Sequence, residues 1–458
     1  MARKTLAEME QALPESKARE RIEALFDADS FVETGKFVGS GGETASVITG
    51  YGSVGGATVY AFSQDISVKG GAMNKAAALK LSKLYSMALK NGCPVIGIYD
   101  SKGGDMTEGA DMLNSYAYIT KASAKLSGVV PQISYVAGLC AGTAAMIACM
   151  ADIVIVNEKS EFFMTAPFVS SDDTLEGAGT AANAAKAGVA AVTVKDDKAA
   201  AEKIKDLIHL LPSNNLGFGG DGGYEEKEAV ISADLKAEAM VKAIAANDSV
   251  IELYGQFGSA SYTALGSVRW KTVGFVATDK ADEKLSAADC AKIARFVSFC
   301  DAFSIPVITV LDSEGIGGTQ AEELAGSVRD AAKLAQVYAS ATTIKIALIT
   351  EKAYGSAYCA IAPANDMVLA YENSVISAAD PKVAVIFLHG DELDGTNEAA
   401  LIGEYKDNEA SVFTLAASGS VDSVIAPEDT RTAILSALDL FEEKRVHTPQ
   451  RKHINFVY

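Results

Sequence analysis

The sequence predicts an α/β protein in which one domain is used twice, and three observations predict it. A strand, a turn of small residues and an Ala-rich helix follow one another over Ile344–Ala362 (I-K-I-A-L-I-T-E-K-A-Y-G-S-A-Y-C-A-I-A) and again over Pro131–Met146 (P-Q-I-S-Y-V-A-G-L-C-A-G-T-A-A-M). The halves also stay in register. Pro94 and Asp100-Ser101 fall on Pro306 and Asp312-Ser313 at a separation of 212 residues, and Lys80, Leu81, Lys83 and Leu84 fall on Lys292, Ile293, Arg295 and Phe296 at the same separation. A register held this long is an internal repeat, with a period far beyond that of a solenoid. Finally, 49% of the 458 residues are hydrophobic but only 7% are aromatic. The core is therefore built of Ala, Val, Ile and Leu, as in sheets covered by helices.

In chain order, residues 1–30 carry one amphipathic helical pattern, with Leu6, Met9, Leu13, Ile22, Leu25 and Phe26 set among charges. Gly50–Asp65 reads as a hairpin turned by Gly55-Gly56. Gly70-Gly71-Ala72 opens a helix to Lys90, Pro94 starts a strand into Asp100, Gly103-Gly104 lies in the next loop, and Leu113–Leu126 is helical. Leu139–Val156 is apolar enough to imitate a membrane span, but Asp152 and the β-branched end make it a buried helix followed by a strand. Pro212–Glu228, rich in Asn and Gly, has the composition of a linker and sets two domains, 1–228 and 229–458. The second half repeats the plan from Gly266 through a helix ending near Phe303, the strand from Pro306 and the loop Gly315–Gly318. The end of the chain turns polar and basic (Lys444, Arg445, Arg451, Lys452), an arm for the surface or for a neighbouring subunit.

Composition and motifs exclude several function classes. A net charge of −19 argues against nucleic acid and anionic lipid as partners, since both are bound through excess Lys and Arg. The six cysteines form no C-x-x-C pair and read as reduced core thiols of a cytoplasmic protein. The four histidines lack metal-ligand spacing, so no metal site is expected. Glu8 and Glu10 follow Met-Ala-Arg-Lys where a signal peptide needs an apolar run. No G-x-G-x-x-G follows a strand and no Walker A Lys-Ser/Thr occurs. Ala239-Met240-Val241-Lys242 only superficially matches a biotin attachment site, because it reads as helix. Asp100-Ser101 and Asp312-Ser313 have no His nearby in sequence and read as N-caps and loop formers rather than hydrolase parts.

The duplicated turn carries the chemistry. A strand-to-helix turn aims free backbone N–H groups at one point, where the helix dipole also favours negative charge. Small side chains let a ligand oxygen approach that backbone. Each turn can thus form an oxyanion hole without a catalytic side chain.

Over nearly its whole length the chain resembles the carboxyltransferase subunits of biotin-dependent acyl-CoA carboxylases and of sodium-pumping acyl-CoA decarboxylases. The matching stretches are Glu20–Glu33, Val59–Asp65, Gly128–Ser134, Phe299–Pro306, Ile349–Tyr358, Gly419–Arg431 and Arg451–Asn455. The resemblance implies two tandem crotonase-like ββα-superhelix domains, agreeing with the repeat. It implies that the turn at Gly142-Thr143 holds the thioester oxygen of an acyl-CoA, and that the turn at Gly355, Ser356 and Ala357 holds the ureido oxygen of biotin. It places Gly70-Gly71-Ala72 beside coenzyme A and Cys359 beside the acyl chain. It further implies biotin on a separate carrier protein, a biotin carboxylase or a membrane decarboxylase subunit as partner, and dimers assembled into hexamers. The sequence departs from the family where Thr143 and Ser356 stand for a second Gly, where Glu351 stands for a basic residue, and in the loops 102–105, 312–318 and 378–382. Two readings follow, an active carboxyltransferase or a weakened paralogue serving as a hexameric scaffold for a biotin carrier.

Overall fold

The apolar runs Val95–Tyr99 and Val307–Ser313 are buried at every residue, as a parallel strand covered on both faces must be. Each is the middle strand of a sheet. The computed structural model describes the chain apart from residues 1–4, 12, 14, 41–42, 166–176, 218, 220–222, 227–228, 282, 391–392, 395, 451–452 and 456–458. Its contacts divide the chain into two units, Met1–Gly219 and Gly220–Tyr458. Among the residues of the expected arm, Arg451 and Lys452 lie outside the described residues, as do Lys227 and Glu228 at the end of the expected linker.

The first unit begins with α1 (Leu6–Gln11) and α2 (Lys17–Leu25). The single amphipathic helix expected over residues 1–30 is thus two short ones, because Ser16 between them is extended (φ −154°, ψ 159°). Only α2 buries a face, through Ala18, Ile22 and Leu25, whereas α1 buries nothing. Next come β1 (Val32–Thr34), the ribbon β2 (Gly39–Ser40) and β3 (Glu43–Thr44), and the expected hairpin of β4 (Val47–Val54) and β5 (Ala57–Gln64). Helix α3 (Lys75–Asn91) starts later than expected. Asn74 caps it by accepting from Ala77 N–H at 2.9 Å, and Gly70-Gly71 lies in a separate single turn. Strand β6 (Val95–Tyr99), helix α4 (Ala110–Ala124) and strand β7 (Gln132–Val136) follow. The stretch expected as one buried helix and a strand opens instead with β8 (Leu139–Ala141), then α5 (Thr143–Cys149) and β9 (Ile153–Asn157). The unit closes with β10 (Glu161–Phe163), α6 (Ala181–Lys186), β11 (Val192–Val194) and α7 (Asp197–Leu210). The main sheet runs β1-β4-β5-β6-β7-β9-β11, antiparallel up to β5 and parallel beyond it, while β8 pairs with β10.

The second unit repeats this order. Helix α8 (Ala237–Ile244) precedes β12 (Ile251–Leu253), β13 (Tyr262–Val268) and β14 (Lys271–Ala277). Helix α9 (Ala287–Ala302) has a capping box in which Ser286 and Asp289 bond each other's backbone N–H. Strand β15 (Val307–Ser313), α10 (Gln320–Ala325) and α11 (Ser327–Ser340) lead to β16 (Lys345–Tyr354), α12 (Gly355–Ile361), β17 (Met367–Tyr371) and β18 (Val375–Ser377). Then come α13 (Pro381–His389), α14 (Glu398–Asn408), α15 (Val412–Ala417), β19 (Ser423–Ile425) and α16 (Thr430–Leu440). The sheet order β12-β13-β14-β15-β16-β17-β19 copies the first. The late half of β16 pairs with β18 as β8 pairs with β10, so one long strand here does the work of β7 and β8.

Residues brought into register by the repeat also share a packing role. Lys80 on α3 is buried and donates to Val47 O at 2.7 Å, and Lys292 on α9 is buried and donates to Ser261 O at 2.7 Å. Burial lowers both ammonium pKa values to about 8. Among the described residues, no helix is long and apolar enough to cross a membrane.

Candidate functional site

In the first unit β8 runs into α5 through Gly142. Its backbone (φ 59°, ψ −127°) lies where a side chain brings strain, so glycine is required for the bend. The Gly142 N–H is spent on Phe163 O at 2.9 Å, and Gly142 O accepts from Met146 N–H at 3.0 Å. The N–H groups of Thr143 and Ala144 have no acceptor among the described residues. They belong to the first turn of α5, where orphan donors and the positive end of the helix dipole coincide. The Thr143 side chain is exposed and Ala144 is buried.

Gly70, Gly71 and Ala72 stand at the neighbouring loop. Gly70 O accepts from Lys102 N–H at 2.8 Å, and Ser101 N–H on the same loop donates to Leu139 O of β8 at 2.7 Å. The loop after β6 therefore joins the Gly70-Gly71 turn to the strand that carries Gly142. A Cβ on Gly71 (φ 69°) would lie 2.4 Å from Asp100 O, so no other residue fits there. Ala72 borders a pocket of about 360 Å³ with Lys69, Lys102 and Thr107.

In the second unit β16 passes straight into α12. Tyr354 is still extended (φ −105°, ψ 139°), Gly355 has φ 49°, and a Cβ on Gly355 would approach Ala378 O to 3.0 Å. The N–H groups of Ser356 and Ala357 have no acceptor among the described residues. Gly355 and Cys359 line a pocket of about 720 Å³ together with Tyr358, Ser377, Leu388 and Tyr405. Cys359 is exposed, one helical turn from Gly355. Each unit thus gathers its own expected residues around its own turn.

Sequence reasoning missed what Asp100 and Asp312 do. Ser101 and Ser313 form loops as expected, each accepting on its hydroxyl from the Gly103 and Gly315 N–H groups at 3.1 and 3.3 Å. Neither aspartate caps a helix. Asp100 Oδ2 accepts from Arg21 Nη1 at 2.7 Å, and Asp312 Oδ2 from Lys236 Nζ at 2.5 Å. Burial works against the Arg21 charge, but the hydrogen bonds to Asp100 and Asp197 overcome it and hold its pKa above the ordinary value. Lys236 is likewise pushed up by Asp312 and Glu351 against its own burial. Glu351, 2.8 Å from Lys236, is held low by that hydrogen bond. The signal available in sequence was the repetition of Asp-Ser at a separation of 212 residues.

The chain is similar to known proteins over nearly its whole length. The carboxyl transferase domain family matches residues 14–456. The chain is 34% identical to the methylmalonyl-CoA decarboxylase subunit alpha of Propionigenium modestum over 98% of its own length and 94% of that protein's. It is 33% identical to the propionyl-CoA carboxylase beta chain of Cereibacter sphaeroides, covering 96% of this chain and 93% of the other. Among solved structures, the crystal structure of transcarboxylase 12S, a hexamer with methylmalonyl-coenzyme A and methylmalonic acid bound, superposes with a TM-score of 0.91 at 31% identity, over 96% of this chain and 92% of that one. With its α/β architecture of tandem crotonase-like domains, the chain belongs to the carboxyl transferase family and is a carboxyltransferase.

Proposed function

We propose that the chain moves a carboxyl group between carboxybiotin, carried on a separate protein, and an acyl-CoA of the propionyl/methylmalonyl class. The observation that carries this reading is the duplicated turn. Gly142 and Gly355 make the two bends, and Thr143, Ala144, Ser356 and Ala357 present N–H groups without acceptors among the described residues. Carboxyl transfer needs two such places, because negative charge develops on the thioester oxygen as the acyl-CoA becomes an enolate, and on the ureido oxygen when biotin gives up its carboxyl group. Preorganised donors at those points lower both barriers.

On this reading residues 1–228 form the acyl-CoA side and 229–458 the biotin side. Gly70, Gly71 and Ala72 flank the coenzyme, with Lys69 and Lys102 beside them suited to its phosphates. The named activities of the relatives supply the substrate class and the two directions, decarboxylation and carboxylation. The partner then decides the direction: a biotin carboxylase for synthesis, or a membrane decarboxylase subunit for release of carbon dioxide. The working form is a cytoplasmic hexamer, brought to a membrane only by such a subunit.

The test removes donors singly. Gly142 cannot become proline, since its φ of 59° is closed to that ring. Thr143→Pro and Ala357→Pro fall in the first turns of α5 and α12, where proline is tolerated. Each should lower the kcat of carboxyl exchange between methylmalonyl-CoA and free biotin by about 10²-fold or more, with the assembly intact by sedimentation. Proline variants that assemble and exchange at the wild-type rate would refute the oxyanion assignment.

A further inference from the structure

We propose that Asp100 and Asp312 are positioning residues for the two oxyanion turns, each locked by a cation from the start of its own unit. The proposal rests on the oxyanion reading given above. Asp100 directly follows β6 and Asp312 lies near the end of β15, the middle strands of the two sheets. The Oδ1 of each accepts from a main-chain N–H: Leu139 at 3.4 Å and Lys352 at 3.1 Å. Leu139 and Lys352 each stand three residues before the glycine of the turn, Gly142 or Gly355. The other oxygen of each carboxylate holds the cation, Arg21 at 2.7 Å or Lys236 at 2.5 Å.

The strand before the first turn is pressed onto its carboxylate. A Cβ on Gly138 would lie 2.2 Å from Asp100 Oδ1, so the backbone passes where no side chain fits. Arg21 also donates through Nε to Asp197 Oδ2 at 2.9 Å, and Asp197 Oδ1 accepts from the Tyr135 hydroxyl at 2.6 Å. This ties the brace to β7 and to the start of α7. The main chain of each aspartate is anchored in the same way in both units. Asp100 N–H donates to Gln64 Oε1 at 3.2 Å and Asp312 N–H to Thr278 Oγ1 at 2.9 Å, Gln64 being the last residue of β5 and Thr278 the first beyond β14, the parallel neighbours of β6 and β15.

Stability alone is a poor reason to keep such pairs: Arg21–Asp100 is nearly buried and gains little over apolar packing, and Lys236 is partly exposed, where an ion pair contributes little. Precision at a reacting centre is a better one, because a displacement of about 1 Å can cost on the order of 10²-fold in rate.

The experiment measures carboxyl exchange between methylmalonyl-CoA and free biotin for Asp100→Ala, Asp312→Ala and their isosteric Asn counterparts. The Ala variants are expected to lose about 10- to 100-fold in kcat, with the KM for both substrates within about threefold of wild type and the oligomer intact. Asn restores an acceptor for the Leu139 or Lys352 N–H without the charge, so it should recover part of the loss. Arg21→Met combined with Asp100→Ala should be no slower than Asp100→Ala alone, because the two act as one unit. Ala or Asn variants that assemble and keep wild-type kcat would overturn the proposal, as would a loss confined to KM or to thermal stability. If Thr143→Pro and Ala357→Pro are inactive while the Asp variants are fully active, only the positioning role falls. If the proline variants are active, the oxyanion reading falls with it.

Discussion

Asp279 shows how far one carboxyl group can depart from the behaviour its type suggests. Its Oδ1 accepts from Ala237 N–H at 3.0 Å, while its Oδ2 is buried without a hydrogen-bond partner among the described residues. Burial pushes its pKa up to about 6, the nearby Asp312 adds to the rise, and Ala237 N–H and Lys236 oppose it. In the unfolded chain the group titrates near 3.8. Above pH 6 the folded state therefore carries a buried charge at a cost, and as pH falls from 6 towards 4 the folded state takes up its proton first and this cost disappears. Asp279→Asn should stabilise the protein at pH 8 by about 1–3 kcal/mol, since each tenfold change in proton affinity corresponds to roughly 1.4 kcal/mol, and by about half as much at pH 5. Urea denaturation at both values checks this, and an equal gain at each pH would rule the account out. At this scale the sequence was legible where backbone geometry is local. The bends at Gly142 and Gly355 could be read because the same strand, small-residue turn and helix occur twice, although a lone turn of this kind more often only packs a helix on a sheet. Asp100 could not, because its partner Arg21 lies 79 residues away and nothing local distinguishes a braced aspartate from a capping one.

Elements were legible when their pattern was strong and their ends were not. The hairpin β4–β5 and the buried parallel strands stood out by alternation or by continuous β-branched runs. The start of α3 was misplaced because Gly70-Gly71 signals a turn, and the cap that starts the helix is Asn74. The break between α1 and α2 was hidden by an apolar spacing that continues across it. Helix α12 was read correctly as the element after the second turn, and it presents Cys359 to a pocket walled by α13, α14 and α15. Phenylalanine at 359 would occupy the space beside Tyr358 and Leu388. If the acyl group enters that pocket, Cys359→Phe should slow exchange of propionyl- and methylmalonyl-CoA more than that of acetyl-CoA, because overpacking costs about 1–3 kcal/mol. Equal losses for all three acyl groups would show that Cys359 does not face the acyl chain.

For the whole molecule, the duplication was the most legible feature, since it rests on many residues rather than on one. Assembly was not written in any motif, and the structure adds an argument for it. In the first unit Leu79 on α3 and Leu113 and Tyr118 on α4 are exposed; in the second, Leu324 and Val328 on α10 and α11 and Phe387 on α13 are exposed. Where such residues join into one patch, association covers them. Light scattering should give a mass near six times the 47.7 kDa of one chain, and a stable monomer at micromolar concentration would contradict the hexamer.

The paired aspartates also bear on the history of the chain. Helices α2 and α8 bury matching faces: Ala18, Ile22 and Leu25 in one, Ala237, Val241 and Ile244 in the other. With those faces aligned, Arg21 stands opposite the buried Met240, and Lys236 stands opposite Lys17, one turn earlier. The two copies of the domain carry the acceptor at the same place and differ in the donor's position and chemistry. The brace therefore asks only that a positive charge reach the carboxylate, from either position along the helix. An ancestor reconstructed from the two halves would carry the aspartate as its fixed point and a cation at either position.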